Sequence, residues 1–196
     1  MANVEKLRAN LEKNGFKTSY FATGAEAADY LCAAISGKSV GFGGSITLQE
    51  LGIYERLAEN NDVAWHWMSE DKDAARAKAE KAVIYLSSAN AIAETGAIVN
   101  IDATGNRLDG TLYNREKVYI VVGVNKIEPD IEKAIARARN VAGPLNARRF
   151  GLSTPCAIGE EFRCYDCHHP QRICKGILIF LQKMKSLLIT KRTSRQ

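Results

Sequence analysis

From residue 38 to residue 143, short apolar runs alternate with segments of helical periodicity, and this alternation restricts the chain to a small set of layered architectures. Residues 38–42, 63–68, 82–86, 97–101 and 118–124 read as strands, several apolar enough to be buried on both faces. Residues 47–59 and the alanine-rich, charged stretch 69–81 read as helices. Ile131, Ile135, Ala138 and Val141 repeat at helical spacing between Pro129, suited to a first turn, and Gly143-Pro144, where the helix is expected to end. Strands that alternate with helices imply crossovers and a mostly parallel sheet with flanking helices, so the expected fold class is α/β. Ahead of this core, Val4, Leu7 and Leu11 share a helical face that ends at Asn14-Gly15. Residues 16–21 read as a short strand, and Thr23 is placed to cap a helix through Ala28 and Leu31 to Gly37.

The chain has 196 residues, enough for one substantial core with an appendage, and its 46% apolar and 25% charged content argues against disorder. The expected division is an α/β domain over residues 1–150 and a cysteine-rich segment over 151–196, packed on the same domain and ending in a hairpin of 177–181 with 187–190. The first residues carry charges every few positions, and no apolar run reaches the roughly 20 residues that span a bilayer, so a cytoplasmic protein without membrane contact is expected. A net charge of +5 includes a basic tail with Lys183, Lys185, Lys191, Arg192 and Arg195. The tail reads as a solvated terminus, and nucleic acid is not the expected partner.

Four of the five cysteines, Cys156, Cys164, Cys167 and Cys174, are crowded into a polar, loop-forming stretch with no hydrophobic period. In a reducing compartment such a cluster points to ligands rather than disulfides. Four thiolates suit a [4Fe-4S] cluster or tetrahedral zinc. The spacing Cys-x7-Cys-x2-Cys-x6-Cys has a single tight knuckle where zinc ribbons have two, which favours the cluster and leaves zinc as the alternative. Arg163, Arg172 and Lys175 are candidates to offset its negative charge. A redox dithiol at Cys164 and Cys167 would leave the other two cysteines unexplained. His168 and His169, directly after the knuckle, keep a mixed site open, although the cysteines already complete a set of four. Cys32 reads as a small apolar residue, and His66, between two tryptophans on an expected strand, needs no functional role.

Two turns carry the remaining chemistry. Gly41-Phe42-Gly43-Gly44-Ser45-Ile46-Thr47 joins a strand to a helix, where small residues let an anion approach the backbone amides. The dinucleotide fingerprint is excluded by Ile46 and by the position of Asp62, and no Gly-Lys-Ser/Thr follows to make a nucleotide-kinase loop. A tight turn capped by Ser45 or Thr47 is the plainer reading. Asn90-Ala91-Ile92-Ala93-Glu94-Thr95-Gly96 places one carboxylate among small apolar residues, where partial desolvation would suit a base or nucleophile. Alternatively, Glu94 pairs with a basic side chain or accepts backbone amides.

These two motifs, together with Gly123-Val124-Asn125-Lys126-Ile127, Arg139-Asn140-Val141-Ala142-Gly143-Pro144-Leu145-Asn146 and the Thr-Pro-Cys and Arg-Ile-Cys ends of the cysteine run, resemble the LUD-domain lactate-utilisation family, the group that includes LutC and YkgG. The resemblance runs from about residue 4 to residue 175. It implies the α/β fold shared with glucosamine-phosphate isomerases, ribose-phosphate isomerases and CoA transferases. It also implies ligand or anion binding at Gly41, Gly43, Gly44, Ser45, Thr47, Thr95, Gly96, Asn125 and Lys126, and catalysis by Glu94. The implied role is an accessory or electron-transfer component of lactate oxidation to pyruvate, with a small anionic carboxylate and iron-sulfur proteins as partners. By analogy of fold, a CoA-transferase-like enzyme acting through Glu94 is the alternative, and a zinc-stabilised binding module is a third.

Overall fold

A computed structural model describes residues 2–184. In chain order the strands are β1 (Ser39–Phe42), β2 (Asp62–Ala64), β3 (Ile84–Ser87), β4 (Ala91–Ala93), β5 (Ile98–Asp102), β6 (Lys117–Ile120), β7 (Ile127–Glu128) and β8 (Gly176–Phe180). The helices are α1 (Val4–Lys13), α2 (Gly24–Ala34), α3 (Ile46–Glu50), α4 (Ile53–Ala58), α5 (Lys72–Glu80), α6 (Asn106–Leu112), α7 (Ile131–Arg137), α8 (Gly143–Arg149) and α9 (Pro155–Ile158). The fold is α/β, with the strands divided between two four-stranded sheets. The first, in the order β2-β1-β3-β6, is entirely parallel. The second, β7-β4-β5-β8, is mixed: β4 runs parallel to β7, while β5 is antiparallel to both β4 and β8.

Side-chain alternation sorts the residues of each strand between two cores. On the parallel sheet, Val40, Phe42, Ile84 and Leu86 face α2, α3 and α4, joined by Trp65, whose ring stacks on Phe42 at 5.0 Å. Tyr85 points the other way, against Ala79 of α5. In the mixed sheet, Ile92 and Ile98 meet Leu7 and Leu11 of α1, whereas Ala91, Ala93, Val99 and Ile101 meet Ala134 of α7. Gly41 lies inside β1 on the α5 side, where a Cβ would stand 2.7 Å from the Ala79 carbonyl oxygen and 3.1 Å from its Cα. The residue serves helix-sheet approach there. Because both obstacles are backbone, Gly41→Ala is expected to destabilise the protein by about 1–3 kcal/mol, measured by urea unfolding; an unchanged midpoint would refute this packing role.

Several elements differ from expectation. Residues 16–21 form no strand: neither sheet offers them a neighbour, and Thr18 instead bonds the side chains of Glu12 and Arg8 in α1. The helix expected over 47–59 divides at Gly52, which takes a left-handed φ of 58°. Residues 65–68 leave β2 for a turn, so His66 does not alternate on a strand. Residues 106–112, between the expected strands 97–101 and 118–124, form an additional helix, α6. The run 118–124, expected as a deeply buried strand, contributes only a half-buried edge strand, because among the described residues nothing pairs with β6 on its outer side.

Pro144 does not end its helix. The chain passes from α7 through a π-helical turn, Ala138–Ala142, into α8, and the Gly143 N–H reaches back to the Ala138 carbonyl. The wider turn accommodates a proline that cannot donate the next regular bond. It also presents Arg139 and Asn140 to the cysteine segment. That segment is tied down at its far end, where β8 pairs with β5 and the Lys175 N–H donates to the Asp102 carbonyl at 2.9 Å. Residues 187–190, the expected second arm of the terminal hairpin, and the basic residues 185, 191, 192 and 195 lie outside the described residues. Among the described residues no helix is long and apolar enough to cross a membrane.

Candidate functional site

The parallel strands β1 and β3 end side by side, and their polar extensions, Gly43-Gly44-Ser45 and Ser87-Ser88, meet at the carboxyl edge of the sheet, held by a 2.9 Å bond from the Gly43 N–H to the Leu86 carbonyl. This is the edge at which parallel α/β sheets receive ligands. Lys126, delivered by a short 3-10 turn after β6, donates from Nζ to Thr47 Oγ1 at 2.9 Å and to Ser88 Oγ at 3.0 Å. Burial, then the nearby charges of Arg137 and Arg107, pull its ammonium group down to about 8. Hydroxyl groups are its direct partners, and among the described residues no carboxylate lies within ion-pair distance of it.

Two guanidinium groups stand behind it. Arg107 is buried against the Gly43 turn and donates to Asn90 Oδ1 at 2.9 Å and to the Ile101 carbonyl, with the Asp102 carboxylate 3.9 Å from Nε. Arg137 donates to the Asn90 carbonyl and lies 3.7 Å from Glu128. Two of these three cations thus have a carboxylate within ion-pair distance, and Glu50 acts on Lys126 from further off. Asn90 is fixed by exchange with the neighbouring strand: its N–H donates to Asn100 Oδ1 at 3.0 Å, and its Oδ1 accepts from the Ile101 N–H at 2.8 Å.

Of the residues singled out from sequence, Gly43, Gly44, Thr47 and Lys126 are brought to this edge. Ser45 joins them, but its Oγ accepts from the Leu48 N–H at 3.2 Å and caps α3. Asn125 is exposed on the 3-10 turn beside Lys126. Ser88, Arg107 and Arg137 were not singled out. Ser88 had a local signal, a hydroxyl directly after an apolar strand. The arginines had none, since each sits in an ordinary charged segment.

Glu94, Thr95 and Gly96 are placed elsewhere. They turn between β4 and β5, at the opposite end of β4 from Asn90, about 13 Å away at the usual rise of an extended chain. The carboxylate is only 12% exposed and receives the Asn3 N–H at 2.9 Å and Lys6 Nζ at 3.0 Å, both from the start of α1. Asn10 Nδ2 donates to the Glu94 carbonyl at 2.7 Å, and Asn14 Nδ2 to that of Thr95 at 3.4 Å. Gly96 has φ 91°, and a Cβ on it would strike the Asn14 amide at 2.5 Å. The turn is therefore the seat of α1, whose positive dipole end meets the carboxylate.

The Asn3 N–H first, and then Lys6, hold the Glu94 carboxyl below its ordinary 4.5. A depressed carboxyl contributes stability that is present above the unfolded value and lost as pH falls through the folded one. Glu94→Gln is accordingly expected to lower the melting temperature at pH 7 and to narrow its gap from the parent at pH 3. Equal losses at both pH values would dismiss the ionic contribution.

The four clustered cysteines are free thiols, all half-buried, and all line one cleft with Arg139, Arg172 and Thr154. Cys156 is carried by α9, and its Sγ lies 3.4 Å from Thr154 Oγ1. Cys164 is held through its N–H by Asn140 Oδ1 at 3.0 Å, and its sulfur receives Arg139 Nη2 at 3.5 Å and the Asp166 N–H at 3.3 Å. Arg172 donates from Nε to Cys174 Sγ at 3.3 Å and from Nη1 to the Cys167 carbonyl at 2.6 Å. Asp166, in a left-handed conformation at φ 46°, bridges Arg139 and Arg172 at 2.7 and 3.2 Å.

Of the basic residues named from sequence, Arg172 reaches one sulfur, that of Cys174, whereas Arg163 pairs with Glu161; Arg139, distant in sequence, reaches Cys164. His168 and His169 do not line the cleft. Among the described residues, no three His, Cys, Asp or Glu side chains converge closely enough to hold a metal ion.

The chain is thus an α/β protein with a cationic, hydroxyl-lined edge and an appended thiol cleft. A family model described as the LUD domain matches residues 4–186, and the chain belongs to that family. Among solved structures it is similar to the crystal structure of a DUF162 family protein from Deinococcus radiodurans, at 14% identity over 76% of this chain and 82% of that one, with a TM-score of 0.48. No curated protein matches the chain.

Proposed function

We propose that this LUD-domain protein serves lactate utilisation as an accessory or electron-transfer component, binding a small carboxylate at the Lys126 edge and a [4Fe-4S] cluster at the cysteine cleft. The observation that supports the reading is that four free thiols line one cleft whose walls donate hydrogen bonds to the sulfurs of Cys164 and Cys174. One zinc ion would draw all four sulfurs to about 2.3 Å from itself, whereas a cubane holds its thiolates apart by the width of the cluster.

When bound, such a cluster supplies one-electron transfer. Arg139, Arg172 and the Asp166 amide offset thiolate charge and orient the ligands. Lys126, Thr47 and Ser88 present three polar groups to a carboxylate, while Arg107 and Arg137 supply the background potential. Iron-sulfur proteins of the same system are the proposed electron partners.

Purification without oxygen tests this directly. About four irons and four sulfides per chain, with absorbance near ~400 nm, are expected of a four-thiolate cluster. A colourless protein carrying about one zinc would replace electron transfer with a structural role. Protein free of both metals would remove the redox assignment.

A further inference from the structure

The outer face of α8 continues through α9 into the cysteine segment, and it is apolar and basic at once. Leu145, Arg148 and Arg149 fall at i, i+3 and i+4 on α8, and all three are exposed. Leu145, Phe150 and Ile158 are each at least half exposed, and Phe162 is exposed as well. Contacts join these residues into one surface. Arg148 donates from Nη2 to the Gly159 carbonyl at 3.2 Å and stands 4.8 Å over the Phe162 ring. Arg149 stands 4.5 Å over Trp67 and 4.4 Å over Phe150, and Trp67 in turn packs on Gly44 of the glycine turn. Ile158 and Phe162 lie two residues from Cys156 and Cys164, so the surface runs from the sheet edge to the rim of the thiol cleft.

Exposed apolar groups rimmed by charge mark a docking surface, and the arginines define what docks. Arg148 and Arg149 are held by aromatic rings and by the uncharged oxygens of Gly159 and Asn146, and among the described residues neither has a carboxylate within ion-pair distance. From residue 139 to residue 175 the chain carries six basic and three acidic residues. Asp166 is engaged by Arg139 and Arg172, and Glu161 by Arg163, which leaves Glu160. A guanidinium group already stacked in place loses little freedom on binding, and its fork matches a carboxylate. Aromatic residues and arginine are the side chains enriched at protein interfaces. The chain's own end is no match for the surface, since residues 185–196 contain no acidic side chain. A second copy fits no better, because a symmetric pair would set the same arginines against each other.

We propose that this face of α8 and α9 is the docking surface for an acidic protein, the electron partner of the cysteine cleft. That the partner carries electrons rests on the cluster reading; the surface itself does not. Carboxylates of the partner pair with Arg148 and Arg149, its apolar groups cover Leu145, Phe150 and Ile158, and docking there sets it against the rim of the cleft.

The test is a calorimetric titration of the full chain, purified without oxygen, with a plant-type ferredoxin of net negative charge as the probe. Saturable binding is expected, with affinity falling about tenfold or more between about 50 and 500 mM sodium chloride as opposite charges are screened. Arg148→Gln and Arg149→Gln should each weaken it by about tenfold or more. Arg8→Gln, which removes the same charge from α1, should leave it unchanged. Absent binding, binding indifferent to salt, or an equal loss in Arg8→Gln overturns the surface. Phosphatidylglycerol vesicles form a second arm, and binding to them as tight as to the ferredoxin overturns the assignment to a protein. The salt series and the vesicle arm decide the matter even if a variant fails to fold. Iron analysis of the same samples judges the cluster separately: binding without iron keeps the surface and removes its electron role, whereas iron without binding removes the surface alone.

Discussion

Cys164→Ser is expected to lose most of its bound iron and its absorbance near ~400 nm, because a four-thiolate cluster loses a ligand that a hydroxyl does not replace at neutral pH. Cys164 is the natural choice. Its backbone is anchored by Asn140, and its sulfur receives two donors, Arg139 and the Asp166 amide. Cys32→Ser supplies the contrast: this residue lies in α2 against the first core, far along the chain from the cleft, and its loss should leave the iron content unchanged. Arg139→Gln should fall between the two, with cluster affinity reduced by about 10- to 100-fold, the usual cost of removing an outer-shell partner. Iron and sulfide analysis of the variants, all prepared without oxygen, reads each outcome. Full iron retention in Cys164→Ser would remove the cleft as the cluster site.

Lys126→Met should weaken carboxylate binding at the sheet edge by about 10- to 100-fold while raising thermal stability at pH 7. The two effects have one cause. An ammonium group brought down to about 8 is more weakly protonated in the folded chain than in the unfolded one, whose ordinary value is 10.5. Below about pH 8 the folded protein therefore carries a desolvated charge at a cost, which is relieved as pH rises from there towards 10.5. Methionine removes that cost and preserves the packing of the stem. It also removes the donor of a charge-assisted bond, worth about 1.5–3 kcal/mol, or about 10- to 100-fold in affinity. For the parent protein, calorimetric titration with lactate should show affinity declining as pH passes through about 8. Affinity that is flat across that pH, or unchanged in Lys126→Met, would separate Lys126 from the ligand.

Features set by near neighbours were legible in advance. The cap at Thr23, the helical face of Leu7 and Leu11, and the apolar strands β1 and β3 all follow from contacts within a turn or from the period of two. The crowding of the four cysteines belongs to the same class. Residues 16–21 show the limit, since their strand-like composition finds no partner in either sheet. Glu94 shows it differently: from composition it could be a reactive carboxylate or a paired one, and the arrival of α1 engages it with Asn3 and Lys6.

By itself, the sequence determined the α/β class, the order of most elements, and the presence of both a thiol cluster and a glycine turn, because each rests on periodicity or spacing within a few residues. Only the tertiary structure decided that the strands form two sheets and that Lys126 meets Thr47 and Ser88. It alone turned Arg139 from a π-helical turn onto Cys164 and laid Arg149 over Trp67. Those contacts join residues far apart in the chain, and their partners are chosen by how helices and sheets pack, a property no local window of sequence contains.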